Sequence, residues 1–315
     1  MPFVNKSGFF DPSTAPYYDP KETRKVVFIT GGNSGIGWYT VLHLYLHGYI
    51  VYVAGRTESK VLKAIDDIKA EAENRQAKQT AKHPLGELNY IHIDLLDLST
   101  VTKAVDEFTE KEKILDVLIN NAGLMGVPYE VTKDDYEIQY QVNFVAHYLL
   151  TLKLLPFLQS AVKIGVTPRI INLASIGHNF QFKHFTPEQN KLDKFLIFAK
   201  ELANHYPDIL SVSVHPGVIL GTELYNHWKN IPIIGIGARG IFALSDKLIG
   251  VSNEEGSLAT LRAALDPSLT LKENGEYLIT GGKIDEPSKI ASNTQYSKET
   301  WDWNYEQLKK RGYNI

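Results

Sequence analysis

The stretch Thr30-Gly31-Gly32-Asn33-Ser34-Gly35-Ile36-Gly37 constrains this chain more than any other. Before it lies a short apolar, β-branched run over residues 25–30. After it come apolar positions at Ile36, Val41, Leu42 and Leu46, stopped by Gly48. Strand, glycine-rich turn and helix together open a βαβ unit. Glycines permit a tight turn and let the backbone approach a pyrophosphate. The free N–H groups and the dipole at the helix start favour that negative charge. No Gly-Lys-Ser/Thr follows, so the turn is not a P-loop. A turn packed for its own sake, with no ligand, is the plainer reading of the glycines taken alone.

The alternation continues. Residues 25–30, 49–54, 88–95, 116–120, 169–174, 210–215 and 276–280 read as strands, seven in all. Helical patterns cover 34–47, 57–73 and 98–112. Thr132 and Asp135 resemble a capping box for a long helix to about residue 158, and a further helix ends near Tyr206. Polar residues 74–87, with Pro84 and Gly86, read as a surface loop. Strands separated by helices predict an α/β fold: a doubly wound parallel sheet with helices on both faces and ligands beyond the strands' carboxyl ends. The expected organisation is an N-terminal extension over 1–24 and one domain over 25–315, with a substrate-side elaboration at about 218–255.

Composition sets the limits. The 315 residues carry a net charge of −3, which gives no footprint for nucleic acid. There is no cysteine, so neither disulfides nor thiolate catalysis are available. The first 25 residues lack the basic-then-apolar order of a signal peptide. No transmembrane helix is expected. The nearest approach, 231–251, is interrupted by Arg239, Asp246 and Lys247. A cytoplasmic protein is the resulting expectation.

The spacing Thr-Gly-x-x-x-Gly-x-Gly, with Asp94 at the end of the third strand and Asn120-Asn121-Ala122-Gly123 at the end of the fourth, resembles the short-chain dehydrogenase/reductase family. The match goes on through Gln141-Val142-Asn143-Phe144, Ser175 after the fifth strand, Val214-His215-Pro216-Gly217-Val218 after the sixth, and Thr222. Trp38-Tyr39-Thr40 and Phe198-Ala199-Lys200-Glu201-Leu202 resemble retinol-dehydrogenase-like members, and the two termini resemble fungal proteins of that group, some linked to lipid droplets and vacuole shape. The resemblance implies a Rossmann-type fold and a nicotinamide cofactor held by Gly31, Asn33, Ser34, Gly35, Ile36, Gly37, Asp94, Leu95, Asn121, Ala122, Gly123, Pro216, Gly217, Val218 and Thr222. It also implies a lipophilic substrate such as a retinoid, sterol or lipid-like carbonyl. A membrane or lipid-droplet surface and a homodimer through the Asn143-bearing helix and its neighbour follow from the same likeness.

An acidic residue after the second strand would hold the ribose hydroxyls of NAD, whereas an Arg accommodates the 2′-phosphate of NADP. Here the residues are Gly55-Arg56-Thr57, so Arg56 and Thr57 point to NADP rather than NAD. A solvated surface Arg is the alternative.

For catalysis the resemblance implies Ser175 and Asn143, together with Tyr-x-x-x-Lys. A free phenol titrates near pH ~10, and a nearby ammonium would lower it toward working pH. No tyrosine occurs between Tyr148 and Tyr206. Lys191 is therefore a lysine candidate with no tyrosine four residues before it. Three accounts stay open. The chain lacks a segment of the natural protein, with the joint near Phe195-Leu196; the protein has lost its acid/base and binds cofactor without turnover, as a scaffold or regulator; or Glu188 or His184 replaces the phenol.

Among other residues, His43 and His47 lie four apart on a helix without a third ligand, so no metal site is expected. His178 and His184 follow Ser175 toward the expected substrate mouth. The apolar run 231–244 either lines a lipophilic pocket or packs over the sheet. Trp301 and Trp303 read as packing residues.

Overall fold

A computed structural model describes residues 6–175, 194–217, 219, 251–289 and 291–315. Its sheet runs β1 (Val26–Thr30), β2 (Ile50–Gly55), β3 (Glu87–His92), β4 (Val117–Asn120), β5 (Arg169–Leu173), β6 (Leu210–Val214), β7 (Tyr277–Leu278) and β8 (Ile284–Asp285). The spatial order is β3-β2-β1-β4-β5-β6-β7-β8. Every pairing is parallel except β7 with β8. The helices are α1 (Gly35–Leu46), α2 (Glu58–Ala77), α3 (Leu98–Lys111), α4 (Ile138–Lys163), α5 (Lys194–His205), α6 (Asn253–Leu265) and α7 (Thr294–Lys310).

Period-two alternation splits the sheet's side chains between two cores. Val26 and Phe28 of β1, with Tyr52 and Ala54 of β2, face the core under α3, α4 and α5. Val27, Ile29, Val51 and Val53 face the core under α1, α2 and α6. Nearly every residue of the inner strands is buried, because helices cover both faces. Chain order reverses direction across the sheet between β1 and β4. The crossovers leave that seam open at the carboxyl ends, which is where a ligand can enter.

Several boundaries differ from the sequence reading. An eighth strand, two residues long and antiparallel, closes the β7 edge after a turn at Thr280–Gly282. Strand β3 stops at His92, so Asp94 and Leu95 lie beyond the strand rather than on it. Helix α2 continues to Ala77 into the segment read as loop.

The Thr132–Asp135 pattern does not start a helix. Asp135 has φ +62, Thr132 N–H donates to Tyr136 O at 2.8 Å, and Val131 bridges Glu137 antiparallel. Side-chain bonding by Thr and Asp serves a turn as readily as a cap. The cap is Glu137, whose carboxylate accepts from Tyr140 N–H at 2.9 Å.

Residues 6–24 lie against the domain. Phe10 N–H donates to Gly281 O and Tyr18 N–H to His47 O. Tyr17 stacks on both His47 and His83. His47 has its ring nitrogens on the carbonyls of His43 and Pro12, and His43 pairs with Glu254. Among the described residues α4 is long and apolar enough to cross a membrane, with mean hydropathy 1.3. In this fold 67% of that window is buried in the core.

Candidate functional site

A cleft of about 260 Å³ opens at the carboxyl ends of β1 to β4. Thr30 ends β1, and Gly31 and Asn33 come from the turn after it. Gly55, Arg56, Thr57 and Lys60 come from the end of β2 and the first turn of α2. Asp94, Leu95 and Leu96 follow β3, and Ala122, Gly123 and Leu124 follow β4. The topology thus brings together Gly31, Asn33, Arg56, Thr57, Asp94, Leu95, Ala122 and Gly123 of the residues singled out from sequence.

The turn is built for close approach. A Cβ at Gly37 would meet Gly31 O at 2.3 Å and the Asn121 amide at 2.7 Å; one at Gly31 would meet Ala122 Cα at 2.9 Å. No side chain larger than hydrogen fits at either place. Asn121 uses its Nδ2 to donate to Thr30 O (2.9 Å) and Gly31 O (3.1 Å), so its amide holds the turn. Ser34 is the N-cap of α1 without a side-chain cap bond, and Gly35, Ile36 and Gly37 form the helix's first turn. That turn carries no acidic residue, so its N–H groups and dipole are not countered by a carboxylate.

At the β2 end, Thr57 is the N-cap of α2 and its hydroxyl makes no cap bond. Arg56 and Lys60 are exposed. Among the described residues neither makes an ion pair. Lys60 was not found from sequence. Its position three residues after Thr57, on the same face of the first turn, is the signal that would have found it. Asp94 turns one carboxylate oxygen to Leu96 N–H at 3.1 Å, so part of its role is to shape the bend after β3.

Asn143 lies in a π-helical turn of α4 over Gln141–Val145, where Ala146 N–H bonds Gln141 O. Its side-chain amide donates to Leu124 O and accepts from Leu124 N–H, both at 2.8 Å. The amide is committed to holding the loop after β4. Ser175 is exposed two residues past β5. Pro216 and Gly217 follow β6, and Gly217 has φ +101 with Thr280 and Val251 against its α-carbon. Lys191, Val218 and Thr222 lie outside the described residues, as do His178, His184, Glu188 and residues 231–250. Phe195 and Leu196, the expected joint, are both buried inside α5. Lys194 at the start of α5 is buried, its ammonium 5.3 Å from the Tyr140 ring centroid and 5.9 Å from that of Phe144.

Comparison with known proteins gives this geometry its family. The short chain dehydrogenase family model matches residues 25–229. A short-chain dehydrogenase/reductase, drtF, of Aspergillus calidoustus is 31% identical over 94% of this chain and 97% of its own length. Human polyprenol dehydrogenase is 27% identical over 94% of this chain and 87% of its own. Human retinol dehydrogenase 13 is 34% identical over 64% and 61%. Among solved structures, an actinorhodin polyketide ketoreductase with NADPH superposes with TM-score 0.63 at 22% identity, over 82% of this chain and 97% of that one, which shows a shared fold. Glycine turn, strand order and motif succession agree with these findings: the chain belongs to the short-chain dehydrogenase family of oxidoreductases.

Proposed function

We propose that this chain uses NADP to move hydride between the nicotinamide and a carbonyl or secondary alcohol on a lipophilic substrate. The observation that carries the cofactor reading is the end of β2. Two exposed cations, Arg56 and Lys60, which make no ion pair among the described residues, and the Thr57 hydroxyl, which makes no cap bond, line one cleft that Glu58 on the same turn does not line. Two cations and a hydroxyl donor suit a phosphate, and the carboxylate that shares the cleft, Asp94, comes from the segment after β3 and not from the end of β2. The glycine cradle, which any Cβ would fill, suits a pyrophosphate. When bound, the cofactor supplies the hydride chemistry. Arg56, Lys60 and Thr57 would bind and orient its phosphate end. Ala122 and Gly123 would form the wall beside it, and Ser175 at the end of β5 would hydrogen-bond the substrate oxygen. The lipophilic class rests on the names of two relatives, a polyprenol and a retinol dehydrogenase.

The proton donor needs its own account. The alignment with the Aspergillus relative spans 324 positions yet uses 94% of 315 residues, about 296, so it opens gaps of roughly 28 positions in this chain. A total of that length leaves room for the account in which a segment between Ser175 and Phe198 is absent here. The intact mass of the protein from its source tests it against 35.4 kDa. A larger mass restores the Tyr-x-x-x-Lys mechanism as the default. An equal mass favours the second reading, a cofactor-binding scaffold or regulator, which rests on the lack of any tyrosine between Tyr148 and Tyr206.

The cofactor is tested by fluorescence titration with NADPH and NADH. Tighter binding of NADPH supports the reading, and equal or reversed preference sinks it. Binding followed by turnover of a retinal or polyprenal separates enzyme from scaffold. A membrane or lipid-droplet surface as partner is tested by flotation with liposomes.

A further inference from the structure

Behind the cleft, where β1 and β4 diverge toward it, a buried hydroxyl ties the two strand ends together. Thr30 is fully buried, and its Oγ1 accepts from Asn121 N–H at 3.1 Å and Ala122 N–H at 3.0 Å. His147 of α4, also fully buried, places Nε2 2.8 Å from the same oxygen and Nδ1 3.3 Å from Asn143 O.

The roles of the two nitrogens follow from chemistry. A backbone carbonyl only accepts, so Nδ1 carries the proton. Burial pushes the imidazolium down to about pH 4, so the ring is neutral at neutral pH. Nε2 is then an acceptor, and Thr30 donates to it. With its one hydrogen directed at the ring, the Thr30 oxygen presents both lone pairs to the two N–H groups. Without the histidine nothing orients that hydrogen, and the hydroxyl can turn it toward the N–H groups it has to accept from.

We infer that His147 is a positioning residue: by taking the Thr30 hydroxyl proton it fixes the Asn121–Ala122 backbone against the end of β1, and with it the cleft wall formed by Ala122 and Gly123. This rests on the cleft being the dinucleotide site. The π-helical turn before His147 serves the same loop from its other side, through Asn143 and Leu124.

The test uses the full chain with T30V, T30S, H147L, H147Q and the T30V/H147L double variant. Nucleotide affinity is read by NADPH fluorescence, folding by thermal melts, and the His147 tautomer by long-range 1H–15N NMR, assigned against H147Q. The expected tautomer is neutral Nδ1–H at pH 7. T30V and H147L should each weaken NADPH binding roughly tenfold. The double variant should be no worse than T30V alone, since His147 acts on the loop only through the Thr30 hydroxyl. H147Q and T30S should bind like the unaltered protein, because the glutamine Oε1 accepts in place of Nε2 and serine keeps the hydroxyl. An Nε2–H tautomer or an imidazolium at pH 7 overturns the inference, as do additive losses or unaltered binding by H147L. Should the unaltered protein bind neither NADPH nor NADH, the cofactor reading falls. The tautomer and the coupling of the two substitutions in the melts then still decide the His147–Thr30 pair.

Discussion

Arg56 and Lys60 approach the same cleft from adjacent turns, and each is expected to add charge-assisted hydrogen bonds to a 2′-phosphate. R56A should raise the dissociation constant for NADPH roughly 10- to 100-fold and leave that for NADH nearly unchanged, with a smaller effect for K60A. R56D should reverse the preference; titration with both nucleotides reads each outcome. His147 makes a second residue-scale prediction. Its folded value of about 4 lies below the value of 6.5 for a free histidine. The stability it contributes is therefore present above pH 6.5 and lost as pH falls toward 4. Urea unfolding at pH 7 and pH 5 should show a larger loss for the unaltered protein than for H147Q. Arg56 was legible from sequence by its distance past the glycines. The His147–Thr30 pair was not, because the two residues are 117 apart in the chain and meet only when α4 packs on the sheet.

At the scale of elements, α1, α2 and α6 are fastened at Glu254. Its carboxylate accepts from His43 Nε2 at 3.0 Å and from Arg75 at 2.6 and 3.3 Å. The hydrogen bond from His43 and those from Arg75 hold its pKa down to about 2, against 4.5 for a free glutamate. This stabilisation is present above pH 4.5 and lost as pH falls from there toward 2. E254Q should flatten the acid limb of a stability-against-pH curve over that window. The carboxylate is 37% exposed, so solvent screening makes the effect modest.

Helix α6 ends on Arg169 of β5, whose partly buried guanidinium donates to Ala263 O, Asp266 O and Leu269 O. R169M would leave three carbonyls without that donor at a helix C-terminus. It should cost about 2–4 kcal/mol in chemical denaturation. Element type was legible wherever apolar periodicity was long, as in α1 and α3. It failed at Thr132–Asp135, where the same residue types suit a cap and a turn, and only the left-handed Asp135 decided between them.

At the scale of the whole molecule, α7 packs on α4 and α5. Trp301 is buried, with ring contacts to Tyr148, Phe198 and His205 on α4 and α5. Tyr140 donates to Asn304, and Arg311 lies 4.4 Å over the Tyr136 ring. The homodimer expected through the Asn143-bearing helix and its neighbour would compete with this packing. Light scattering of the full chain should therefore give the 35.4 kDa of one copy. A mass near twice that would show that pairing uses another face or displaces α7.

What the sequence alone determined is the local and periodic part: a strand, a glycine turn and a helix in that order, the βαβ alternation, and a cation rather than a carboxylate after β2. These depend on neighbours along the chain, whose spacing is visible in the letters. Tertiary structure decided what depends on approach across the fold. It put Lys60 on the cleft wall, moved Asp94 beyond its strand, and committed the amides of Asn121 and Asn143 to holding loops. It also placed His147 against Thr30. The physical reason is the same in each case: a buried polar group takes whatever partner packing brings within hydrogen-bond reach, and that partner has no fixed distance in sequence.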